Sequence, residues 1–483
     1  MAETLPTLLP APSSILSEKY PSKAHARKVA NLLPTTNGTI YLESAPLLLL
    51  PDSDSEAPFR QRRPFFYLSG CPLPDSFLTY HIPTNTLTLF IPPVDPESVP
   101  WSGLPMSVEE AQAQFDVDEV RHTNDPKPLG AEGGLVYVYT GDGQVSRSLG
   151  VSPENINRSQ LKPAIDEARV VKDRYEIALL ERANEISSYA HNYVLKCAHS
   201  MKNEREAQAL FEAICLANGA TGQAYNGIYA GGRSAATLHY VKNDASLLSV
   251  NAPDGGKEKP QLLLVDAGCE LRCYASDITR VIPLTPDSKF TQEARQIYDL
   301  VLQMQKECMA MVKPHANWEE IHRHAHRVLI QGFLSLGIFK DGSVEEIMDA
   351  RTSCAFLPHG LGHWLGMDTH DTGGHANYAD TDPMFKYLRV RRPLVEGAVV
   401  TVEPGVYFCR YIVDGYLAEE KHRKFVDEGV LARYWVVGGV RIEDDVVIEK
   451  EGGRSLSLGA VKEREEVEML AGQRGTPGWC NYL

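Results

Sequence analysis

The chain has 483 residues, and because one hydrophobic core seldom serves more than about 300 residues, we expect two domains. Its content of 43% apolar and 23% charged residues is typical of a soluble globular protein, and its net charge of -15 argues against nucleic acid or an anionic membrane as a partner. The chain has no run of about 18 apolar residues that could span a bilayer. Its nine cysteines lack the spacing of a disulfide scaffold. Because no signal peptide is recognisable either, we expect a cytoplasmic protein.

Strand-like segments alternate with turns rich in proline, glycine and aspartate in the first part of the chain. The strand-like segments are GTIYLES (38–44), PFFYLSG (64–70), TLTLFIP (86–92) and GLVYVYT (134–140). Between them, SVEEAQAQF (107–115) is helix-like. The alternation predicts an α/β N-terminal domain over residues 1–165.

A helical segment follows this domain. Asp173, with Glu176 three residues later, forms the pattern of a capping box. From Ile177 to Cys197, apolar residues recur at spacings of three or four, which marks one apolar helix face. We therefore place the domain boundary near residue 165 and assign residues 166–483 to a second domain. No G-x-G-x-x-G motif follows a strand there, which excludes a dinucleotide-binding site of that type.

The second domain repeats one short pattern. LLLVDAG (262–268) and VVTVEPG (399–405) both consist of an apolar strand followed by an acid, a small residue and glycine. This repeat predicts two related halves that face each other. Each half places a carboxylate, Asp266 or Glu403, at the end of a buried strand, where a charge needs a partner or a metal ion.

Further acids and a histidine cluster accompany these two carboxylates. Asp277 lies eleven residues after Asp266, a separation suited to a β-hairpin, and Glu443 lies in the strand-like GGVRIEDDVVI (438–448). HGLGHWLGMDTHD (359–371) contains three histidines, but it lacks an HExxH motif and is too rich in glycine for a helix interior. Two Asp, two Glu and one His suit Mn, Co, Fe or Zn, and bridging carboxylates could hold two ions that activate water for hydrolysis.

Four segments together carry a resemblance to a known family. VDAGCELRCYASD, HGLGHWLGMDTHD, TVEPGVYF and GGVRIEDD resemble, in this order, the motifs of the pita-bread metallopeptidases, in the branch of aminopeptidase P and prolidase that includes fungal-type Xaa-Pro aminopeptidases. The resemblance spans roughly residues 166–450, and PFRQRRPFFYLSG (58–70) is similar to the N-terminal domain of that branch. It implies an α+β C-terminal pita-bread catalytic domain with pseudo-twofold halves.

The resemblance also implies a dinuclear metal site with two divalent ions, for which we expect Mn²⁺. Its ligands would be Asp266, Asp277, His363, Glu403 and Glu443. Asp277 and Glu443 would contact both ions, and Glu403 would also handle the proton of the attacking water. The remaining implied site residues are the catalytic histidines His370 and His239 and the substrate-binding residues His359, Arg441, Tyr407 and Arg389.

The activity implied is metal-dependent hydrolysis of the bond before proline, which releases the N-terminal residue of an Xaa-Pro peptide. The alternative is a prolidase that cleaves only Xaa-Pro dipeptides, which is favoured by Arg389 and by the long connection between Glu403 and Glu443. A non-enzymatic binding protein of the same fold is a further alternative, but all five ligand positions are filled. The expected partners are peptides with proline in second position, and the family suggests a homodimer.

Overall fold

The computed structural model describes residues 8–125, 134–139, 147, 149–251 and 256–475. The chain divides into two compact units, Ser13–Val170 and Val171–Leu483, the second of which includes Met1–Pro12. The division lies five residues beyond the boundary that we placed near residue 165. Thr140, the last residue of the expected strand 134–140, lies outside the described ranges. No helix in those ranges has both the length and the apolar character needed to cross a bilayer.

One mixed sheet organises the first unit. In chain order, the unit contains α1 (Ser22–Leu32), β1 (Thr39–Glu43), α2 (Arg63–Ser69), β2 (Phe77–His81), β3 (Thr86–Ile91), α3 (Val99–Ser102), α4 (Val108–Gln114), β4 (Glu119–His122), β5 (Val136–Val138), β6 (Ile156–Asn157) and α5 (Leu161–Ala168). The strand order is β4-β3-β2-β1-β5-β6, with β1 antiparallel to β2 and parallel to β5. Tyr41, Phe77, Phe90, Val136 and Val138 form a buried cluster on these strands, as expected for an α/β domain.

One expected strand is wrong. The segment PFFYLSG forms helix α2 instead, with Pro64 in the first turn, where a missing N–H costs no hydrogen bond. Gly70 ends the helix in the left-handed conformation, at φ 63°. Because every residue of α2 is buried, the segment shows no alternation of polar and apolar residues from which a helical period could be read.

The second unit contains the remaining helices and strands. In chain order they are α6 (Arg174–Cys197), α7 (Glu204–Ala217), β7 (Gly222–Gln223), β8 (Ile228–Gly231), β9 (Val250–Asn251), β10 (Lys257–Glu258), β11 (Leu262–Asp266), β12 (Cys269–Leu271), β13 (Tyr274–Ala275), β14 (Thr279–Pro283), α8 (Gln292–Met311), α9 (Trp318–Ser335), α10 (Val344–Asp349), β15 (Val399–Val402), β16 (Gly405–Tyr407), α11 (Arg410–Leu417), α12 (Glu420–Arg423), α13 (Glu428–Leu431), β17 (Gly439–Arg441), β18 (Asp444–Glu449), β19 (Gly452–Ser455) and α14 (Arg464–Ala471).

Two antiparallel strand pairs form the centre of this unit. β11 pairs with β14, and β15 pairs with β18. In each pair, the connection between the strands contains a smaller antiparallel pair, β12–β13 in the first and β16–β17 in the second. A bridge between Thr279 and Glu443 joins the two pairs. The two halves therefore repeat one arrangement, and the repeated acid-glycine pattern of the sequence marks the equivalent strand ends.

Helices cover the two halves. α6 packs on α7 and on β12 and β13, whereas α8 packs on α9 and on β15, β16 and β17. α6 begins at the expected capping box, in which the Asp173 carboxylate accepts hydrogen bonds from the N–H groups of Tyr175 and Glu176 at 2.8 and 2.9 Å. The cap fixes where the first helix of the unit begins.

Replacing Asp173 by alanine is expected to lower the free energy of unfolding by at least about 1 kcal/mol, because two N–H groups of the first turn lose their acceptor. Urea denaturation followed by circular dichroism measures the change. Glu185→Ala, on the exposed side of α6, serves as the control and should change the stability by less than about 0.5 kcal/mol. Equal stability of the two variants would show that tertiary packing alone sets the start of α6.

Candidate metal centre

The four carboxylates among the expected ligands lie at the junction of the two halves. Asp266 is the last residue of β11 and lies opposite Thr279 in the antiparallel pair with β14. Asp277 lies two residues before β14, on the returning side of the expected hairpin. Glu403 follows β15, and Glu443 lies between β17 and β18. Antiparallel pairing thus brings the second strand of each half back beside the end of the first strand. The four carboxylates therefore lie close together.

Three of the five expected ligands form a tight cluster. One ligand atom from each of Asp277, His363 and Glu443 lies within 4.8 Å of the other two, and all three side chains are buried. His363 Nε2 lies 3.4 Å from Asp277 Oδ2 and 3.5 Å from Glu403 Oε1. Four of the five expected ligands therefore surround one small volume.

Asp266 joins this group through a tyrosine that the sequence analysis did not identify. The hydroxyl of Tyr225 lies 2.6 Å from Oδ1 of Asp266 and 2.6 Å from Oδ1 of Asp277. A hydroxyl carries one proton, so it can donate to only one of the two carboxylates at a time. Two acids that face each other across a single donor have unused acceptor capacity, which a cation would satisfy.

Two threonines orient the carboxylates from behind. Thr279 Oγ1 donates to Glu443 Oε2 at 2.6 Å. Thr401 Oγ1 accepts a hydrogen bond from the backbone N–H of His363 at 3.0 Å and lies 3.4 Å from Glu403 Oε1. Thr279 lies two residues after Asp277, and Thr401 lies two residues before Glu403, a spacing that places side chains on one face of an extended segment. This spacing is a signal in the sequence that could have identified them.

The loop that carries His363 depends on a glycine. A Cβ on Gly362 would lie 1.9 Å from the carbonyl oxygen of Thr401, so no other residue allows the loop to approach β15 this closely. The backbone N–H of Thr401 donates to the carbonyl of His363 at 2.9 Å. The glycine-rich composition that argues against a helix here thus reflects a loop that packs against a strand.

Burial makes the ionised carboxylates of the site costly unless a proton or a cation neutralises them. Removal from water, reinforced by the neighbouring carboxylates, raises the pKa of Asp277 and of Glu443 well above the usual range. Burial likewise raises the pKa of Glu403 to about 7. Burial lowers the pKa of His363, which keeps its imidazole neutral and able to bind a metal. These oxygen donors and one neutral nitrogen fit a divalent cation such as Mn²⁺ or Zn²⁺.

His359, Tyr407 and Arg441, which we expected to bind substrate, form a hydrogen-bonded chain with one another. Arg441 pairs with Asp266 and donates from Nη1 to the Tyr407 oxygen at 2.8 Å. The Tyr407 hydroxyl lies 2.9 Å from His359 Nε2, and His359 Nδ1 donates to the carbonyl of Gly360 at 2.7 Å. The chain holds Arg441 against Asp266, and a direct role with substrate stays a prediction.

The other expected site residues are His370, His239 and Arg389. The ring of His370 stands edge-on to that of His363, with centroids 4.4 Å apart. His239 is exposed, and its charge lowers the pKa of His359 and of His370 in addition to the larger effect of their burial. Arg389 is half-buried and donates from Nη1 to the hydroxyl of Tyr378 at 2.7 Å.

Comparisons with known proteins agree with this architecture. The model of metallopeptidase family M24 matches residues 178–450, and the model of the aminopeptidase P N-terminal domain matches residues 24–129. A probable Xaa-Pro aminopeptidase of Aspergillus fumigatus is 53% identical over 476 residues, which cover 96% of this chain and 100% of that protein.

Solved structures extend the likeness to the fold. The aminopeptidase PepP of Pseudomonas aeruginosa aligns with a TM-score of 0.75 at 29% identity, over 94% of this chain and 99% of that one. Aminopeptidase P from E. coli, with the inhibitor Pro-Leu, aligns with the same TM-score at 28% identity and over the same shares. The likenesses confirm the expected fold and the expected class of enzyme, a metal-dependent Xaa-Pro aminopeptidase. This chain belongs to metallopeptidase family M24 and carries the N-terminal domain of aminopeptidase P.

Proposed function

We propose that this enzyme releases the N-terminal residue from peptides with proline in second position, with two divalent ions held by Asp266, Asp277, His363, Glu403 and Glu443. The observation that carries the proposal is the convergence of these side chains, three of which place ligand atoms within 4.8 Å of one another. The alternative of a non-enzymatic binding protein is set aside, because the relatives are peptidases and the expected ligands converge.

Mn²⁺ is the ion that we propose for this site, with Asp277 and Glu443 shared between the two ions. Carboxylate oxygens predominate over nitrogen in the donor set, and thiolate is absent from it, which favours Mn²⁺ over softer metals. When bound, the two ions supply Lewis acidity toward the carbonyl oxygen and the attacking water.

Glu403 and two histidines perform the remaining chemistry. Glu403 accepts the proton of the attacking water and passes it to the proline nitrogen as the bond breaks. His370 and His239 donate hydrogen bonds to the carbonyl oxygen while negative charge develops on it. The contact of His370 with the His363 ring keeps the first of these donors beside the proposed ligands.

The substrate explains why such a site is needed. The bond before proline is a tertiary amide without an N–H, and the proline ring fixes φ near -65°. A peptidase that grips an extended backbone therefore lacks a donor on the substrate. Attack that needs only the carbonyl group, with Glu403 to protonate the leaving nitrogen, avoids this requirement.

The prolidase alternative depends on Arg389. The prolidase alternative requires a cation that binds the carboxylate of a dipeptide, and Arg389 is the candidate, with its Nη1 bound to Tyr378. We favour the aminopeptidase because the A. fumigatus relative carries that name. We further propose a cytoplasmic location, because the nine cysteines lack the spacing of a disulfide scaffold. We also propose a homodimer, which light scattering would test.

Hydrolysis of Gly-Pro and of Gly-Pro-Ala tests the proposal. The enzyme is dialysed against chelator, and Mn²⁺ or Zn²⁺ is then added back. Cleavage of both peptides that depends on added Mn²⁺ supports the proposal, whereas cleavage of the dipeptide alone, lost in Arg389→Ala, supports a prolidase. Cleavage that survives removal of metal, or no cleavage of either peptide, would contradict the metal-dependent function.

A further inference from the structure

His239 lies in the loop between β8 and β9, residues 232–249. A buried carboxylate outside the metal centre holds this loop. Glu204, the first residue of α7, has no exposed surface, and its Oε1 accepts a hydrogen bond from the backbone N–H of Gly231 at 2.7 Å. Its Oε2 accepts from the hydroxyl of Tyr240 and from the backbone N–H of Ala245, both at 2.9 Å. We propose that Glu204, acting through Tyr240, is a positioning residue for His239. This inference rests on the role of His239 in the proposed function.

Neutral donors balance the charge of Glu204. In the described part of the chain, no lysine, arginine or histidine forms a salt bridge with this carboxylate, and burial raises its pKa. A buried carboxylate without a cation is costly unless hydrogen bonds satisfy it. All three donors belong to β8 or to the segment after His239, so the interaction that offsets the cost of burial is also the one that holds this segment.

Glu204 connects the loop to the strand beside the metal centre. Gly231, which donates to one carboxylate oxygen, is the last residue of β8. Ile228, the first residue of the same strand, lies opposite Asp266 in the pairing of β8 with β11. The carboxylate that binds Tyr240 therefore also binds the strand next to a proposed metal ligand. The loop is positioned relative to the site and not only relative to the surface.

A second set of hydrogen bonds holds the far side of the loop. Asn243 adopts the left-handed conformation, at φ 49°. Its Oδ1 accepts from the backbone N–H of Tyr229 at 3.0 Å, and its Nδ2 donates to the carbonyl of Gly227 at 2.8 Å. Tyr240 is thus held to β8 through Glu204. Asn243 is held directly to β8 and to Gly227, the residue before this strand.

His239 has no such anchor of its own. Its side chain is exposed, and none of the described residues forms a hydrogen bond with its ring. Its position relative to His359 and His370, whose pKa values its charge helps to lower, depends on the backbone that joins it to Tyr240. If Tyr240 lost its hydrogen bond to Glu204, the His239 imidazole would therefore occupy many positions that do not reach the substrate.

Tyr240→Phe tests the proposal, because it removes only the hydroxyl that Glu204 binds. With Gly-Pro-Ala and the Mn²⁺-loaded enzyme, we expect kcat to fall about tenfold with little change in KM, since a donor used in the transition state is misplaced. Tyr274→Phe is the matched control, because it removes a hydroxyl that donates to Glu176 Oε1 at 3.0 Å elsewhere in the same unit, and its kcat should stay within about twofold. Glu204→Gln, which places an NH₂ group against N–H donors, should act like Tyr240→Phe.

The decisive measurement repeats Tyr240→Phe in a His239→Ala background. If Tyr240 acts through His239, the second substitution causes no further loss of kcat, whereas a merely structural role predicts that the two losses multiply. Multiplying losses, or an unchanged kcat in Tyr240→Phe, would overturn the proposal. If His239→Ala itself leaves kcat unchanged, the role given to His239 fails and the positioning proposal with it. Metal content and melting temperature of each variant separate these outcomes from misfolding.

Discussion

Replacement of Asp277 by asparagine is expected to reduce kcat on Gly-Pro-Ala at least about 1000-fold, which corresponds to about 4 kcal/mol of lost transition-state stabilisation. Asp277 lies at the centre of the site, within 4.8 Å of both His363 and Glu443 and within hydrogen-bond distance of Tyr225. The amide keeps the shape of the side chain but removes its charge and replaces one acceptor by a donor. Steady-state kinetics and metal analysis of the purified variant measure both consequences.

Asp299→Asn provides the control for this experiment, because Asp299 is a half-exposed residue that pairs with Arg464 far along the chain. It should retain the metal content and the activity of the unmodified enzyme. Asp277→Asn should bind less than two ions per chain. Full activity together with a full complement of metal in Asp277→Asn would refute the assignment of this residue as a ligand.

In the metal-free protein, Glu403→Gln is expected to gain stability relative to the unmodified protein as the pH rises from 5 to 8. Burial raises the pKa of Glu403 from 4.5 to about 7, so the folded state binds more protons than the unfolded state between these two values. The stability that Glu403 contributes is complete below pH 4.5 and is lost as the pH rises through 7. The difference between the two proteins should therefore widen by about 2 to 3 kcal/mol.

The comparison of two proteins is needed because buried histidines produce the opposite trend. Burial lowers the pKa of His322 to about 4 and of His326 well below its usual value, so these residues add stability as the pH rises toward 6.5. Their contribution is common to both proteins and cancels in the difference. Urea denaturation at pH 5, 6, 7 and 8 in the presence of chelator provides the data.

Addition of Mn²⁺ should reverse the order of stability at pH 8, because metal binds the ionised carboxylate and its affinity rises as protons leave the site. The unmodified protein should then be the more stable of the two. A difference that stays constant between pH 5 and 8 without metal would mean that Glu403 is already ionised at pH 5, despite its burial.

Local signals in the sequence were sufficient for several elements. The capping box at Asp173 involves hydrogen bonds over only three residues, so the sequence shows both partners together. The same holds for strands β1 and β3, whose apolar runs end at turn residues. Helix α2 could not be predicted in this way, because burial on all sides removes the periodicity that distinguishes a helix from a strand.

The positions of the proposed ligands could be predicted from the sequence for a different reason. Each half of the chain places an acid at the end of an apolar strand, and this repeat is visible without knowledge of the pairing between strands. Their role as metal ligands came from the resemblance of four motifs to a family, and not from the spacing of the residues. The convergence of Asp277, His363 and Glu443 into one cluster required the fold.

The sequence alone thus indicated which short segments carry the proposed ligands, because those segments combine strand ends, glycines and acids within a few residues of one another. The tertiary structure decided which side chains support them. Tyr225 meets Asp277 across 52 positions and Tyr407 meets His359 across 48, and Glu204 meets Tyr240 across 36. Such contacts arise only when antiparallel pairing and helix packing bring distant segments together, so no local pattern in the chain reveals them.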